Sequence, residues 1–592
     1  MKRISFTIYC LFFLIFNTAN AQEMSFINVA PQLGIHHQFV HDTFWGAGVS
    51  FYDYDGDGLE DITLATRNGE NIAVFRNLDK SSFINMTPAL GFSDPHESKS
   101  PLWVDFDNDG DKDFFVANYW GSSRLYQNND GQFLDITADA GMLRDSLTTT
   151  AACWADFDND GWLDLYLTNH DPGIKNVFYR NRGDGTFQDV TDAAGLQEVN
   201  KNPLAVAALD YNGDGWQDIY VGSDRFFGNS LYRNNGDLTF TDVSEASNTD
   251  LVFHSMGIAV GDYDDDGDLD MYISNDPFGN GMLRNNGNGT FSEIASDLGV
   301  AVNKSCWGVN FLDYDNDSDL DLYVSVSRGA PNNENALFEN IGNGRFAETS
   351  LQGLAGDTSV SYGNAIGDFN NDGYSDIAVL NEDSPFTLWQ NQAGSNNWIK
   401  VSLTGTISNR DAVGSIIEIH RDGGKFIRST HCGISYLSQN SGIETIGIGQ
   451  STIVDSIVVR WPSGGRDVLQ NVAANEFIRI TEGETLTGIS AAANLPSRFE
   501  LTQNYPNPFN PMTNIGFRIS DFGFVVLDIF SISGQYVKTL LRENHSAGDY
   551  SVSWDGIDNN GRPVTSGIYV YRLTVRGKTG THANSRKMIL LR

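Results

Sequence analysis

Seven nine-residue segments of this chain place oxygen-bearing side chains at the same four offsets. They read DYDGDGLED, DFDNDGDKD, DFDNDGWLD, DYNGDGWQD, DYDDDGDLD, DYDNDSDLD and DFNNDGYSD. Positions 1, 3, 5 and 9 are Asp53, Asp55, Asp57 and Asp61 in the first copy, and Asp105, Asp107, Asp109 and Asp113 in the second. The third has Asp156, Asp158, Asp160 and Asp164, and the fourth Asp210, Asn212, Asp214 and Asp218. The fifth has Asp262, Asp264, Asp266 and Asp270, the sixth Asp313, Asp315, Asp317 and Asp321, and the seventh Asp368, Asn370, Asp372 and Asp376. Four such side chains in nine residues can wrap one hard cation, and position 7 can add its backbone carbonyl. Ca²⁺ takes 6–8 oxygens in flexible geometry, so a water or two would complete the shell. The absence of Cys and His from every copy argues against zinc or copper. The expected cofactor is therefore calcium, up to seven ions. Asp, Asn and Gly also favour plain turns, but seven copies with the same oxygen positions exceed what turn chemistry needs.

The loop does not continue as an EF-hand, which requires a bidentate Glu at position 12. Position 12 is Leu64, Val116, Leu167, Val221, Ile273, Val324 or Val379. These lie in apolar runs such as DLYLTN and DIYVGS that read as strands, so the loop joins two strands. Position 6 is Gly in six copies, where a sharp turn favours φ > 0. Ser318 replaces it in the sixth, and that loop is expected to bind most weakly.

The copies start 52, 51, 54, 52, 51 and 55 residues apart, a period that signals stacked or radial units. In the fifth unit, strands are expected at 256–261, 271–274, 282–285 and 291–294. Four antiparallel strands per repeat suggest a propeller blade. Fourth-strand segments begin near Phe26, Phe83, Phe133, Phe187, Phe240, Phe291 and Phe346. The first of these precedes the first metal loop, and the last unit, ending at 388–391, lacks its own. The N-terminal SFINVAPQLGI is therefore expected to supply the outer strand of the last blade, protecting sheet edges and closing the ring. Residues 24–395 resemble the FG-GAP/VCBS repeat family, the seven-bladed calcium propellers of integrin α-chain type. The Ser318 copy departs from that family's D-x-D-x-D-G-x-x-D motif.

The chain has 592 residues and a formal net charge of −38. Such acidity should repel nucleic acid and anionic membrane. Residues 1–21 read as a secretory signal peptide: Lys2 and Arg3, an apolar stretch from Ile4 to Phe16, then Ala19-Asn20-Ala21. Loss of that leader takes the charge to −40, and seven Ca²⁺ would bring it to about −26. No later stretch is long and apolar enough to cross a membrane. Cys153, Cys306 and Cys432 lack metal or redox spacing and read as buried small hydrophobes.

Residues 399–481 form a second β unit in which Ile417, Ile419, Ile457 and Val459 alternate with polar residues. Its segments GISYLSQNSGIETIGIG and VDSIVVRWPSGG resemble the ASPIC/UnbV domain, which accompanies such propellers in cartilage acidic protein-like chains. Trp461 and Tyr436 are expected in the core. Residues 482–497 read as a small-residue linker. Residues 498–592, with QNYPNPFNPMT, SWDGIDNNGRPVTSGIYVYRL and KMILLR, resemble the FlgD-like C-terminal sorting domain of Por-type (type IX) secretion substrates. That resemblance implies contact with the secretion machinery, then release or surface attachment. The expected architecture is all-β: a seven-bladed propeller over 22–398, the small β domain, and a C-terminal Ig-like β-sandwich.

No nucleophile signature is present, and the Asp clusters look committed to structural metal. If the metal loops lie on one face, the loops between second and third strands lie on the other. These carry Tyr119, Trp120, His170, Arg225, Phe226, Phe278 and Arg328. His36, His37, His41, Phe253 and His254 fall in connections between units. Aromatic and Arg residues are typical interface anchors, although each aromatic could equally pack locally. The expected role is adhesion, or binding of a glycan or extracellular protein. A polysaccharide lyase or hydrolase on the same scaffold and a passive surface component are the alternatives.

Overall fold

The computed structural model describes residues 24–484 and 500–591 apart from short segments; the expected signal peptide, most of the linker and His41 lie outside the described residues. Two compact units divide after residue 489. No helix among the described residues is long and apolar enough to cross a membrane.

The first unit begins with a β-propeller. Five four-stranded sheets and one eight-stranded sheet are built from the same up-and-down antiparallel meander. The eight-stranded sheet holds two meanders, 97–135 and 147–189, joined where Leu147 pairs with Gly121 and Thr148 with Tyr119. Burial grades along each meander. Second strands such as Asp164–Asn169 and Asp218–Ser223 are buried at every residue, because neighbouring sheets cover both faces and the alternation of a one-sided strand disappears. Fourth strands such as Phe187–Asp189 and Phe240–Asp242 bury only their Phe. In the fifth unit the strands are Ile258–Gly261, Asp270–Ile273, Gly281–Asn285 and Phe291–Glu293, within two residues of expectation at each start. The N-terminal strand Phe26–Asn28 pairs antiparallel with Thr387–Asn391, setting Phe26 against Asn391. A segment from the start of the chain thus completes the last sheet, as expected.

Two corrections concern the second-to-third-strand loops. Tyr119 and Trp120 belong to the strand Asp113–Gly121, and Arg328 ends the strand Asp321–Arg328. These strands run longer than their apolar stretches because polar residues at their far ends keep pairing with the first strand, as in Glu97↔Tyr119 and Ser305↔Arg328.

The same compact unit continues into a small β domain. One sheet orders Ile443–Gly449, Asn397–Thr404 and Glu476–Thr481, the last pair parallel. The other orders Gly424–Ser429, Ile416–Arg421, Ile453–Arg460 and Arg466–Ala473. Ile417, Ile419, Ile457, Val459 and Trp461 share its core, and Trp461 Nε1 donates to Asp467 Oδ2 at 2.8 Å. Tyr436 is buried as expected, but among propeller residues rather than in this core. The second compact unit is a two-sheet β-sandwich of three and four strands. Trp554, Phe517, Leu527, Tyr571 and Leu573 lie in its interior.

Candidate functional site

Each acidic loop joins the first and second strands of a meander, and all seven share one hydrogen-bond frame. The position 6 amide donates to the position 1 carboxylate. The position 7 amide donates to position 5. Position 9 accepts from the position 2 amide through one oxygen. Its other oxygen accepts from the amide of an Asn on the third strand. Position 9 therefore braces the loop against its own sheet while facing the other carboxylates.

Carboxylate oxygens converge within 4.8 Å in five loops. The trio is Asp53, Asp55 and Asp57 in the first loop, and positions 1, 3 and 9 in the loops from Asp105, Asp156, Asp262 and Asp313. Position 5 stands outside the trio in those four. The loops from Asp210 and Asp368 have an amide at position 3, and Asn212 and Asn370 donate to Asp214 and Asp372. Burial, reinforced by neighbouring carboxylates, pushes Asp53, Asp156 and Asp262 up to about 7. The same causes push Asp113 up to about 9. Asp105 Oδ1, Asp158 Oδ1, Asp264 Oδ1 and Asp313 Oδ1 are buried without a hydrogen-bond partner. Buried acceptors of one sign, packed together and left over by the protein's own donors, fit a hard divalent cation.

One set of residues was not singled out in the sequence: the third-strand Asn. Asn285 Nδ2 donates to Tyr211 O of the preceding meander at 2.8 Å, and Asn340, Asn391, Asn234 and Asn181 do the same. Asn77 reaches Phe369 O at 2.8 Å, linking the first meander to the last. The signal was present as an Asn recurring 15–19 residues after position 9.

The small β domain covers the metal-loop face. Gly447 N donates to Asp313 Oδ2 (3.1 Å) and Gly449 N to Asn316 O (2.8 Å). Arg428 Nη2 donates to Ser318 O and Arg421 Nη1 to Ser318 Oγ, both at 2.7 Å. Lys400 Nζ, buried, lies 3.0 Å from Asp368 Oδ2. Asp411 pairs with Lys112 and accepts from Asp105 N at 2.8 Å.

A loop of this domain enters the propeller axis. Trp154 N donates to Cys432 O, Ser435 N to Ile258 O, and Gln439 N to Val49 O. Val309 N donates to Ser435 Oγ, Trp103 N to Gln439 Oε1 and Ile366 N to Asn440 Oδ1. His431 Nδ1 lies 3.2 Å from Ala208 O. Residues 431–440 thus reach the first strand of every meander, satisfying backbone groups that line the axis. Tyr436 is fully buried there, its ring 4.9 Å from Trp307 and 6.4 Å from Tyr362.

A cavity of about 570 Å³ opens at the meander ends remote from the metal loops. Arg225 and Arg328, both expected on this face, line it with Asp224, His254, Asp276, Trp307 and Tyr362. Asp224 accepts from His254 Nδ1 at 2.6 Å and faces His170 Nε2 at 3.4 Å. Against the effect of burial, these two histidines hold its carboxyl below the usual range. Asp276 accepts from Ser305 Oγ at 2.7 Å. Phe226 and Phe278 are exposed, their rings 5.9 Å apart, and Phe226 meets His254 edge-on. Tyr119 and His170 are buried and present no face to solvent, while Trp120 is exposed but outside the cavity lining. Asp224 and Asp276 follow equivalent second strands, a recurrence that could have marked them.

The family model described as FG-GAP-like repeat matches residues 53–116, 105–167, 156–221, 210–273 and 264–324. ASPIC and UnbV matches 405–487 and FlgD Ig-like domain matches 513–580. Cartilage acidic protein 1 of Xenopus tropicalis is 24% identical over 466 residues, covering 70% of each chain. The Homo sapiens protein of that name is 23% identical over 492 residues, covering 74% of this chain and 71% of its own. A solved structure of PorZ, an essential bacterial surface component of the type-IX secretion system of Porphyromonas gingivalis, aligns over 90% of this chain and 74% of its own. Its identity is 13% and its TM-score 0.26, too low to bear on the fold. The chain therefore carries FG-GAP-like repeats in a β-propeller, an ASPIC/UnbV domain seated on that propeller, and a FlgD Ig-like domain.

Proposed function

We propose that this is a secreted or cell-surface, calcium-binding β-propeller of seven blades that mediates adhesion or binds a glycan or extracellular protein through the face opposite its metal loops. The observation that carries this reading is the seating of the ASPIC/UnbV domain. It covers the loop face and fills the axis, which leaves the opposite face and its cavity for a partner. The blade count rests on the five four-stranded sheets plus the two meanders of the eight-stranded one. Calcium rests on the all-oxygen donor set and its unpartnered buried oxygens. The ion supplies positive charge among clustered carboxylates. The chain's own residues brace the loop and hold the strand junction. Export rests on the leader-like residues 1–21, and the FlgD Ig-like domain is assigned to sorting by the secretion machinery.

The test is a glycan and polysaccharide array with the mature chain, run in calcium and in chelator. Saturable binding in calcium is expected. Silence in both conditions removes the glycan reading and favours a protein partner or a passive surface component. A second reading, a polysaccharide lyase or hydrolase, draws support from the His254–Asp224 pair on the cavity wall. New reducing or unsaturated ends on a bound polymer would establish it.

A further inference from the structure

We propose that the seventh metal loop takes no calcium, because Lys400 of the ASPIC/UnbV domain supplies its cation from within the chain. This rests on the reading of the other loops as calcium sites. Lys400 lies in the strand Asn397–Thr404. Its neighbours Ile399 and Val401 belong to the core of the small β domain. Side chains alternate along a strand, so Lys400 points the other way, onto the metal-loop face of the propeller. Its side chain is 1% exposed there, and that of Asp368 is 0% exposed.

The ammonium is engaged by this loop. Lys400 Nζ donates to Asp368 Oδ2, at position 1, over 3.0 Å and to Asn371 Oδ1 over 2.7 Å. A buried ammonium deprived of its carboxylate is strongly destabilising. Calcium taken up by Asp368 would set two like charges on one carboxylate, in an interior where charges are weakly screened. The loop's own ligand set is also reduced. Position 3 is Asn370, whose Nδ2 donates to Asp372 Oδ2 at 2.8 Å. Among the described residues, no three carboxylates converge here as they do in five other loops. Three Asp and one Lys leave a formal charge of −2, against −4 from the four Asp of the first loop.

Cations beside other loop carboxylates differ in exposure. Arg76 pairs with Asp55 and Asp57, and Arg180 with Asp158 and Asp160. Their side chains are 34% and 37% exposed, so either guanidinium can turn into water when calcium arrives. Arg410, 3.7 Å from Asp105, is more exposed still, and Lys112 of the second loop is held by Asp411. Lys400 has no such exit. Its strand is paired on both sides, with Ile443–Gly449 and Glu476–Thr481, and its ammonium is enclosed between the two domains.

The place of this loop gives the lysine a role. The first and last meanders meet here. Asn371 Nδ2 donates to Gly58 O and Asn77 Nδ2 to Phe369 O, both at 2.8 Å. Glu60 accepts from Asp368 N and from Ser441 Oγ of the ASPIC/UnbV domain. A cation tethered to the chain holds this seam at any calcium concentration. Loss of calcium therefore loosens the other loops while the seam stays shut.

The experiment counts calcium ions per mature chain by equilibrium dialysis, for the wild type and for Lys400→Met. The variant should hold one ion more. Terbium locates that ion, because the Trp398 ring packs against Gly373 of this loop, where a Cβ would stand 2.0 Å from it. Lys400→Met should gain sensitised terbium emission, and adding Trp398→Phe should remove the gain. Should Lys400→Met fail to fold, Asp372→Ala serves instead. It should leave the wild-type count unchanged, whereas Asp160→Ala, at the same position of the third loop, lowers it by one. Equal counts on wild type and Lys400→Met, or a count lowered by Asp372→Ala, overturn the proposal and leave the calcium reading standing. A count of zero on both chains removes that reading and the proposal with it.

Discussion

Position 6 of the sixth metal loop shows how much one residue type can alter a site. Ser318 adopts φ = 99°, a region costly for any residue with a Cβ. It still donates its amide to Asp313, so the loop frame survives. Arg421 and Arg428 of the ASPIC/UnbV domain hold its hydroxyl and carbonyl. Ser318→Gly should relieve strain of about 1 kcal/mol and tighten calcium binding at that loop. Titration of single-loop variants would refute this if the Ser318 loop proved the tightest of the seven. The raised carboxyls give a second prediction. Asp53, Asp156 and Asp262 are pushed up to about 7 from a reference of 3.8. Between about pH 4 and 7 the metal-free folded chain therefore holds protons that the unfolded chain has released, and its stability falls as pH rises. Bound calcium keeps the same groups ionised in the folded state as they are in the unfolded one, which removes the slope. In chelator the melting temperature should rise from pH 8 to pH 5.5, and in saturating calcium it should stay nearly level. Parallel slopes would mean that these carboxylates do not hold the ion. A third prediction concerns the Asn ladder. Asn285→Ala removes donors to Tyr211 O and Leu269 O, both buried, and should cost about 1–3 kcal/mol, read by denaturant unfolding.

At the scale of elements, the loop through the axis decides whether the ASPIC/UnbV domain is a separate module or part of the propeller. A Cβ on Gly48 would stand 1.6 Å from Leu437 O. Gly48→Ala therefore cannot coexist with the seated loop. Its expected effect is loss of cooperative unfolding between propeller and ASPIC/UnbV domain, seen as a split transition by calorimetry, or failure to fold. A single unchanged transition would show that the loop does not seat as described. The repeat strands themselves were legible because burial on both faces leaves continuous apolar runs such as DLYLTN. The axis loop was not legible. Its residues, CGISYLSQN, carry no spacing that points to the propeller axis, and their hydrogen-bond partners lie up to 389 positions away. Tyr436 was rightly expected to be buried, but no periodicity could say that another domain's strands would bury it.

For the whole molecule, calcium should act as distributed cross-bracing. Each site filled at a hundredfold excess over its dissociation constant adds about 2.7 kcal/mol if the unfolded chain does not bind. Chelation should therefore lower the melting temperature of the propeller unit by many degrees, and an unchanged value would make the loops mere acidic turns. The metal motif, the repeat period, the all-β class and the strand borrowed from the N-terminus were determined by sequence alone, because each is local or periodic. Oxygens at fixed offsets are a local pattern whatever surrounds them, and a 51- to 55-residue repeat implies a repeated unit. Tertiary structure alone decided which face is open. The seating of Lys400, Arg428 and Gly447 on the metal loops closes one face, and the axis loop closes the channel. Asp224, His254, Arg225, Asp276, Trp307 and Arg328 come from three different meanders, so only their closing around one axis brings them to a single cavity. Packing between distant segments is set by shape and by pairing of buried polar groups, and neither is written in the spacing of residues along the chain.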